Sequence, residues 1–217
     1  MTRQSTFLVF GATGGTGRYF VAQALADGHK VRALARSPGK LPSGQLNLEV
    51  RQGSITDRVD TDSLVEGVDF VVSMLGDKNL QKETKINTAF VKRLVPSMRR
   101  QGVKRFLYQA GGLSRPYGVH LPPFFWAIRH TVARGFIGQH KDNEAVMEYL
   151  ATEARDIEWI VHRAGIGSDG PSKGMLKRSE SKFSVATHVD CATYNYRTIN
   201  DSSAIHTAGL SHYTTSR

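Results

Sequence analysis

Short apolar runs alternate with stretches of helical periodicity along this chain, and the alternation predicts most of its elements. Phe7-Leu8-Val9-Phe10 is a continuous apolar run with strand character. Phe20, Val21, Ala24 and Leu25 then repeat at helical spacing between Gly15 and Ala26, and Gly28 is the expected terminator. Val31 to Ala35 predicts a second strand, and the Pro/Gly-rich stretch 37–44 a loop. Leu48 to Gln52 predicts a third strand, and a short helix around Asp62 to Glu66 leads to a fourth, Asp69 to Leu75. That fourth run is nearly all apolar, as in parallel sheets covered on both faces. Glu83 to Arg100 carries Ile86, Phe90, Val91, Leu94 and Val95 on one helical face, with Pro96 predicting a kink or break. Arg105 to Gln109 reads as strand five, Gly138 to Ala154 as a helix and Glu158 to Arg163 as strand six. This order implies an α/β fold, a doubly wound parallel sheet of the Rossmann kind, in a single domain over 1–217.

Two stretches fall outside the alternation. Residues 113–136 hold Pro116, Pro122 and Pro123 among Tyr117, Phe124, Phe125, Trp126 and Phe136. A connection of that length is uncommon unless it carries function or a short helix. It is the candidate wall or lid of a substrate site, with an oligomer surface or satellite core as the alternative. The polar, glycine-broken tail predicts a strand at Lys182 to Val185 and a helix near Asp190 to Tyr196. Segments 113–136 and 165–217 together form the expected substrate side.

The turn after the first strand carries the sharpest chemical signal. Gly11, Gly14 and Gly17 lie between a strand and a helix, so Gly11 turns the chain, Gly14 admits a pyrophosphate to the backbone, and Gly17 packs helix on sheet. Unpaired N–H groups at the helix start add a positive end. After the second strand stands Arg36-Ser37 rather than an acidic residue. An acid there would hold the ribose hydroxyl of NAD, whereas Arg36 forks onto the 2′-phosphate of NADP with Ser37 adding a donor. NADP(H) is the expected cofactor, and a solvated loop charge is the plainer alternative for Arg36.

Composition narrows the rest. The chain has 217 residues and a formal charge of +10, but its cations are scattered and no nucleic-acid motif accompanies them. No apolar stretch reaches the ~18–20 residues of a membrane span. Met1 to Ser5 leads straight into the first strand, leaving no room for a secretory signal, and Cys191 is alone. The expectation is a cytoplasmic monomer or homodimer with a small-molecule substrate and neither nucleic-acid nor membrane partner. The histidines show no metal-ligand spacing.

Gly11-Ala12-Thr13-Gly14-Gly15-Thr16-Gly17 resembles the GATGxxG of the atypical short-chain dehydrogenase/reductases, within them the NmrA-like and flavin/biliverdin-IXβ-reductase-like proteins. Gly53-Ser54-Ile55, Leu75-Gly76, Lys141 with Glu144, and Ile160 to Gly165 continue the resemblance. It implies Gly11, Thr13, Gly14, Gly15, Thr16 and Gly17 around the pyrophosphate, and Arg36 and Ser37 at the 2′-phosphate. Ser54 and Ile55 would lie beside adenine and Leu75 and Gly76 along the ribose. Gln109, Ala110, Gly111, Gly112, Arg163, Ala164 and Gly165 would approach the nicotinamide. The group's usual acid, a Tyr with Lys four residues later, is absent: Gly112 follows Tyr108 at that distance and Glu153 follows Tyr149. Ser114, Tyr108, His140 and Lys141 remain as candidate catalytic groups, Lys141 also for ribose hydroxyls. The expected function is NADPH-dependent hydride transfer to a conjugated acceptor such as a quinone, flavin or polyketide-like ketone. A non-catalytic NADP(H) sensor and a non-redox isomerase or cyclase are the rival readings.

Overall fold

A computed structural model describes residues 3–214, so Met1, Thr2 and the last three residues of the predicted tail lie outside the described residues. In chain order the elements are β1 (Thr6–Phe10), α1 (Gly15–Ala26), β2 (Lys30–Ala35), β3 (Leu48–Gln52), α2 (Thr61–Val65) and β4 (Phe70–Ser73). There follow α3 (Ile86–Arg100), β5 (Arg105–Gly111), α4 (Pro123–His130), α5 (Ile137–Glu153) and β6 (Glu158–Ser168). The chain ends with β7 (Leu176–Ser179), β8 (Val185–Thr187), α6 (His188–Thr198) and β9 (Thr207–Tyr213).

The sheet runs β3-β2-β1-β4-β5-β6-β9-β7, with β8 on the far end of β6. Every pair is parallel except β7 with β9. Successive residues of β1 explain why the strand is apolar throughout. Leu8 and Phe10 enter the core under α3 and α5. Phe7 and Val9 enter the opposite core with Phe20 and Val21 of α1. Both faces are therefore buried, and the chain turns from β1 to α1 at one edge of the molecule, where the carboxyl ends of the parallel strands meet.

Several boundaries differ from the sequence expectation, each for a tertiary reason. Helix α3 begins at Ile86 rather than Glu83, because Asp142 of α5 accepts the N–H groups of Asn87 and Thr88 and fixes its first turn. It runs unbroken through Pro96, held by the fully buried Val95 and Met98 on either side. Strand β6 extends to Ser168 because β9 pairs with its first half and β8 with its end. The predicted strand at Lys182 to Val185 is displaced to β8, and β7 and β9 were not predicted. Segment 113–136 is not irregular throughout, since it contains α4 and a 3₁₀ turn at Arg134–Phe136.

Candidate active site

Gly11 leaves β1 with φ of +81°, where a Cβ would stand 2.7 Å from the Met74 carbonyl oxygen. The Gly14 N–H closes the turn by donating to the Gly11 carbonyl at 2.9 Å. A Cβ on Gly17 would overlap that same Gly11 oxygen and stand 2.7 Å from its carbon, so α1 seats against the turn only with glycine there. The start of α1 has no side-chain cap and no acidic residue in its first turn. Its positive end is uncompensated by the protein and fits an anionic pyrophosphate.

Behind this turn runs a directed polar chain. Asn195 Nδ2 donates to Gln109 Oε1 at 2.7 Å, so Asn195 Oδ1 accepts from His162 Nδ1–H at 2.7 Å. His162 Nε2 then accepts from the Ser211 hydroxyl at 2.8 Å. Gln109 Nε2 reaches Thr16 Oγ1 at 3.5 Å, and His188 Nδ1 lies 3.2 Å from the same oxygen. The Gln109 amide is thus taken up in bracing Thr16 from the α6 side. Its strand period decides this, because the side chain alternates away from Tyr108 and Ala110.

A cleft opens beside the turn, lined by Gly11, Thr13, Gly14, Arg36, Ser54, Ile55, Leu75 and Gly76, among others. The connections after four strands, β1, β2, β3 and β4, converge there. Exposed Ser37 is not among its lining residues. Arg36 projects into solvent and pairs with Asp77 at 3.5 Å. Asn87, at the start of α3, also lines the cleft, and its buried Oδ1 has no hydrogen-bond partner among the described residues. A buried acceptor without a donor costs about 1–3 kcal/mol, and a ribose hydroxyl is a donor of the right kind.

The second cluster sits at the end of β5. Asn87 Nδ2 donates to the Tyr108 hydroxyl at 3.0 Å, and that hydroxyl donates to Asn143 Oδ1 at 2.6 Å. Asn143 Nδ2 donates to Ser114 Oγ at 3.2 Å, and Ser114 Oγ lies 2.9 Å from His140 Nδ1. The donor order leaves the Ser114 hydrogen for His140 Nδ1, so the network selects the His140 tautomer with hydrogen on Nε2. His140 packs over Gly111, where a Cβ would stand 3.1 Å from its Cε1. Burial, with Arg129 nearby, lowers the His140 pKa to about 4. The lowered pKa favours the neutral imidazole at neutral pH. Tyr108 is fully buried, which raises its pKa, and its hydroxyl is engaged on both sides. It orients Asn143. Lys141 is exposed.

Arg163, Ala164 and Gly165 end this part of the sheet. Gly112 N–H donates to the Ala164 carbonyl at 2.7 Å. The Phe183 ring occupies the space that a Cβ on Gly165 or Gly112 would need. Phe125 of α4 meets Phe183 edge-on at 5.7 Å. Arg129 pairs with Glu144, which also accepts the Arg115 N–H at 2.8 Å, so the aromatic segment is tied to α5. Sequence reasoning missed Asp142, Asn87, Asn143, His188 and Phe183. The one signal available was an acid and an asparagine beside apolar positions of the same helical face, since Asp142 and Asn143 precede Val146.

Two buried neutral histidines make stability pH-dependent. His140 and His162 both have pKa values lowered from 6.5 to about 4, chiefly by burial. A lowered histidine pKa favours the folded state above pH ~6.5, and that contribution is lost as pH falls towards 4. His162 alone contributes roughly 3 kcal/mol at this conversion. The urea midpoint should therefore fall steeply between pH 6.5 and 4.5, and His162→Gln should flatten much of the slope. An unchanged slope in the variant would show that His162 is not the titrating group.

The sheet order, the glycine turn and the cleft beside it define a Rossmann-type dinucleotide-binding protein. A profile of the NAD(P)H-binding family matches residues 11–192, and the chain belongs to that family. Pinoresinol reductase 1 of Arabidopsis thaliana is 32% identical over 133 residues, 56% of this chain and 41% of its own. A (4-alkanoyl-5-oxo-2,5-dihydrofuran-3-yl)methyl phosphate reductase of Streptomyces griseus is 40% identical over 82 residues, 38% of this chain and 29% of its own. The chain spans about a third of the length of the first curated relatives it matches. Among solved structures, an anaerobillin reductase from Escherichia coli O157:H7 superposes with a TM-score of 0.75 at 16% identity, covering 98% of this chain and 99% of that one. A Lactobacillus casei protein superposes with a TM-score of 0.78 at 19% identity, covering 97% and 100%. Among the described residues no helix is long and apolar enough to cross a membrane.

Proposed function

We propose that the protein is an NADPH-dependent reductase acting on a flat conjugated acceptor, a quinone, flavin or aromatic ketone. The observation that carries this reading is the neutral His140, held by Ser114 with its Nε2–H free of protein partners among the described residues. The bound nicotinamide supplies the hydride. His140 Nε2–H donates to the acceptor oxygen as charge develops there, a role that a neutral imidazole fills without titrating. Ser114, Asn143 and Tyr108 keep its tautomer in place. A conjugated acceptor is then protonated from water, which suits a chain lacking the Tyr-x-x-x-Lys acid. Phe125 and Phe183 form an aromatic wall above the end of β5.

For the cofactor, Gly11 and Thr13 through Gly17 would hold the pyrophosphate, Ser54 and Ile55 would flank adenine, and Leu75, Gly76 and Asn87 would line the ribose. Arg36, now paired with Asp77, would take the 2′-phosphate. Lys141, exposed one residue beyond His140, would contribute to the ribose hydroxyls. The reductases among the relatives support this reading.

The test is NADPH oxidation against quinones, flavins and polycyclic ketones, with NADPH and NADH binding measured alongside. Turnover is expected with at least one acceptor. Arg36→Asp should weaken NADPH binding about 10- to 100-fold, the value of a lost charge-assisted contact, and leave NADH nearly unaffected. Tight NADPH binding without any turnover would favour a sensor, and equal loss of both cofactors would remove Arg36 from the 2′-phosphate site.

A further inference from the structure

Arg163 is only 6% exposed, and no carboxylate lies within 4 Å of it among the described residues. It stands on β6 between Ala110 of β5 and Leu210 of β9, neither of which offers a counter-charge. Its Nε donates to the Ala208 carbonyl at 2.9 Å and one Nη1 hydrogen to the Ser114 carbonyl at 3.2 Å. Two of the five guanidinium donors are thereby used, and three are not. Nη2 makes no hydrogen bond among the described residues, and it is not sealed from solvent. Burial lowers the Arg163 pKa to about 10, which leaves the group cationic at neutral pH.

The side chain borders a cleft of about 340 Å³ whose other walls include Leu121, Pro122, Phe125 and Leu210. Glu180 is at the rim of the same cleft, exposed, and makes no ion pair with Arg163. A buried cation without a partner is costly, and one fixed by two backbone carbonyls at the floor of an apolar cleft is preorganised for an incoming anion. Its anchor, Ser114, is the residue that holds His140, so the cleft opens beside the proposed reaction centre. No acid pairs with the three free donors among the described residues, and a carboxylate takes two of them side by side.

We propose that Arg163 anchors a carboxylate carried on the flat apolar body of the substrate, rather than a part of the cofactor. The proposal rests on the reductase reading in naming the substrate of that site, but its test is one of binding. With NADPH held saturating, calorimetric titration compares 2-naphthoate with 2-naphthamide, its neutral counterpart of the same shape. The wild-type protein should bind 2-naphthoate at least about ten-fold tighter, the value of a charge-assisted hydrogen bond. Arg163→Gln should erase that preference and Arg163→Lys restore part of it, with NADPH affinity unchanged in both. Leu121→Glu leaves the Arg163 hydrogen bonds intact and sets a carboxylate on the cleft wall. It should abolish the preference even if Arg163→Gln fails to fold.

Equal binding of the two probes by the wild-type protein would overturn the proposal, as would competition between 2-naphthoate and NADPH, which would return Arg163 to the cofactor. A purely structural role would lower the melting temperature of the Arg163 variants while sparing the preference. Failure of the reductase reading is separate, since it shows as absent turnover with every acceptor while the binding preference stands.

Discussion

Asp142→Ala is expected to destabilise the fold by about 3–5 kcal/mol, among the largest losses available to a single substitution here. Asp142 is fully buried in α5. Its Oδ2 accepts from Asn87 N–H at 2.9 Å and Gln81 Nε2 at 2.8 Å. Its Oδ1 accepts from Thr88 N–H at 2.9 Å and the Thr88 hydroxyl at 2.7 Å. Helix α3 has no capping side chain of its own, because Lys85 occupies that position. Asp142 supplies the missing cap from another helix, and its charge meets the positive end of α3. Alanine would leave two backbone donors and an amide buried without acceptors. The loss should appear as a lower urea midpoint, and Asp142→Asn, which keeps one oxygen, should fall between. Because Asn87 would loosen with the helix, NADPH binding should weaken as well. A loss below about 1 kcal/mol would mean that water replaces the carboxylate, and the capping argument would fail.

Gly17→Ala should reduce NADPH affinity about 10- to 100-fold, read by fluorescence titration. The added methyl would overlap the Gly11 carbonyl, a backbone atom that cannot rotate aside. Either the turn opens or α1 slides, at the 1–3 kcal/mol typical of overpacking. Both movements displace the N–H groups meant for the pyrophosphate. Gly39→Ala is the control, because nothing lies within 4 Å of a Cβ there, and it should bind NADPH as the wild type does. Wild-type affinity in Gly17→Ala would show that the helix start is not where the phosphates bind.

The glycine turn and the cleft beside it were legible because their determinants are local. A glycine at φ > 0, a strand before it and a helix after it are properties of one short segment. Arg36, Ser54 and Leu75, which line that cleft, each stand one or two residues beyond the end of a strand. His140 and Ser114 were named from the sequence, but not their relation. Their 2.9 Å contact spans 26 positions, and the direction of its hydrogen depends on Asn143, Tyr108 and Asn87. The bonds of the Gln109 amide to Thr16 and Asn195 were not legible either, because they span 93 and 86 positions and the pleat decides which way the side chain points.

The sequence by itself determined the doubly wound order of strands and helices, since continuous apolar runs and helical periodicity are written residue by residue. It also determined the glycine turn after β1, where only glycine satisfies the backbone. Tertiary structure alone decided three things. Asp142 became a cap for a helix it is not part of, because α5 packs its N-terminal half against the start of α3. His140 became a neutral donor, because burial removed the charge that its type would suggest. Arg163 became a cation without a counter-charge, because its neighbours across the sheet, Ala110 and Leu210, are apolar. Each depends on groups distant in the chain meeting where water is excluded, and there the cost of an unpaired charge or donor is set by the surroundings rather than by the residue.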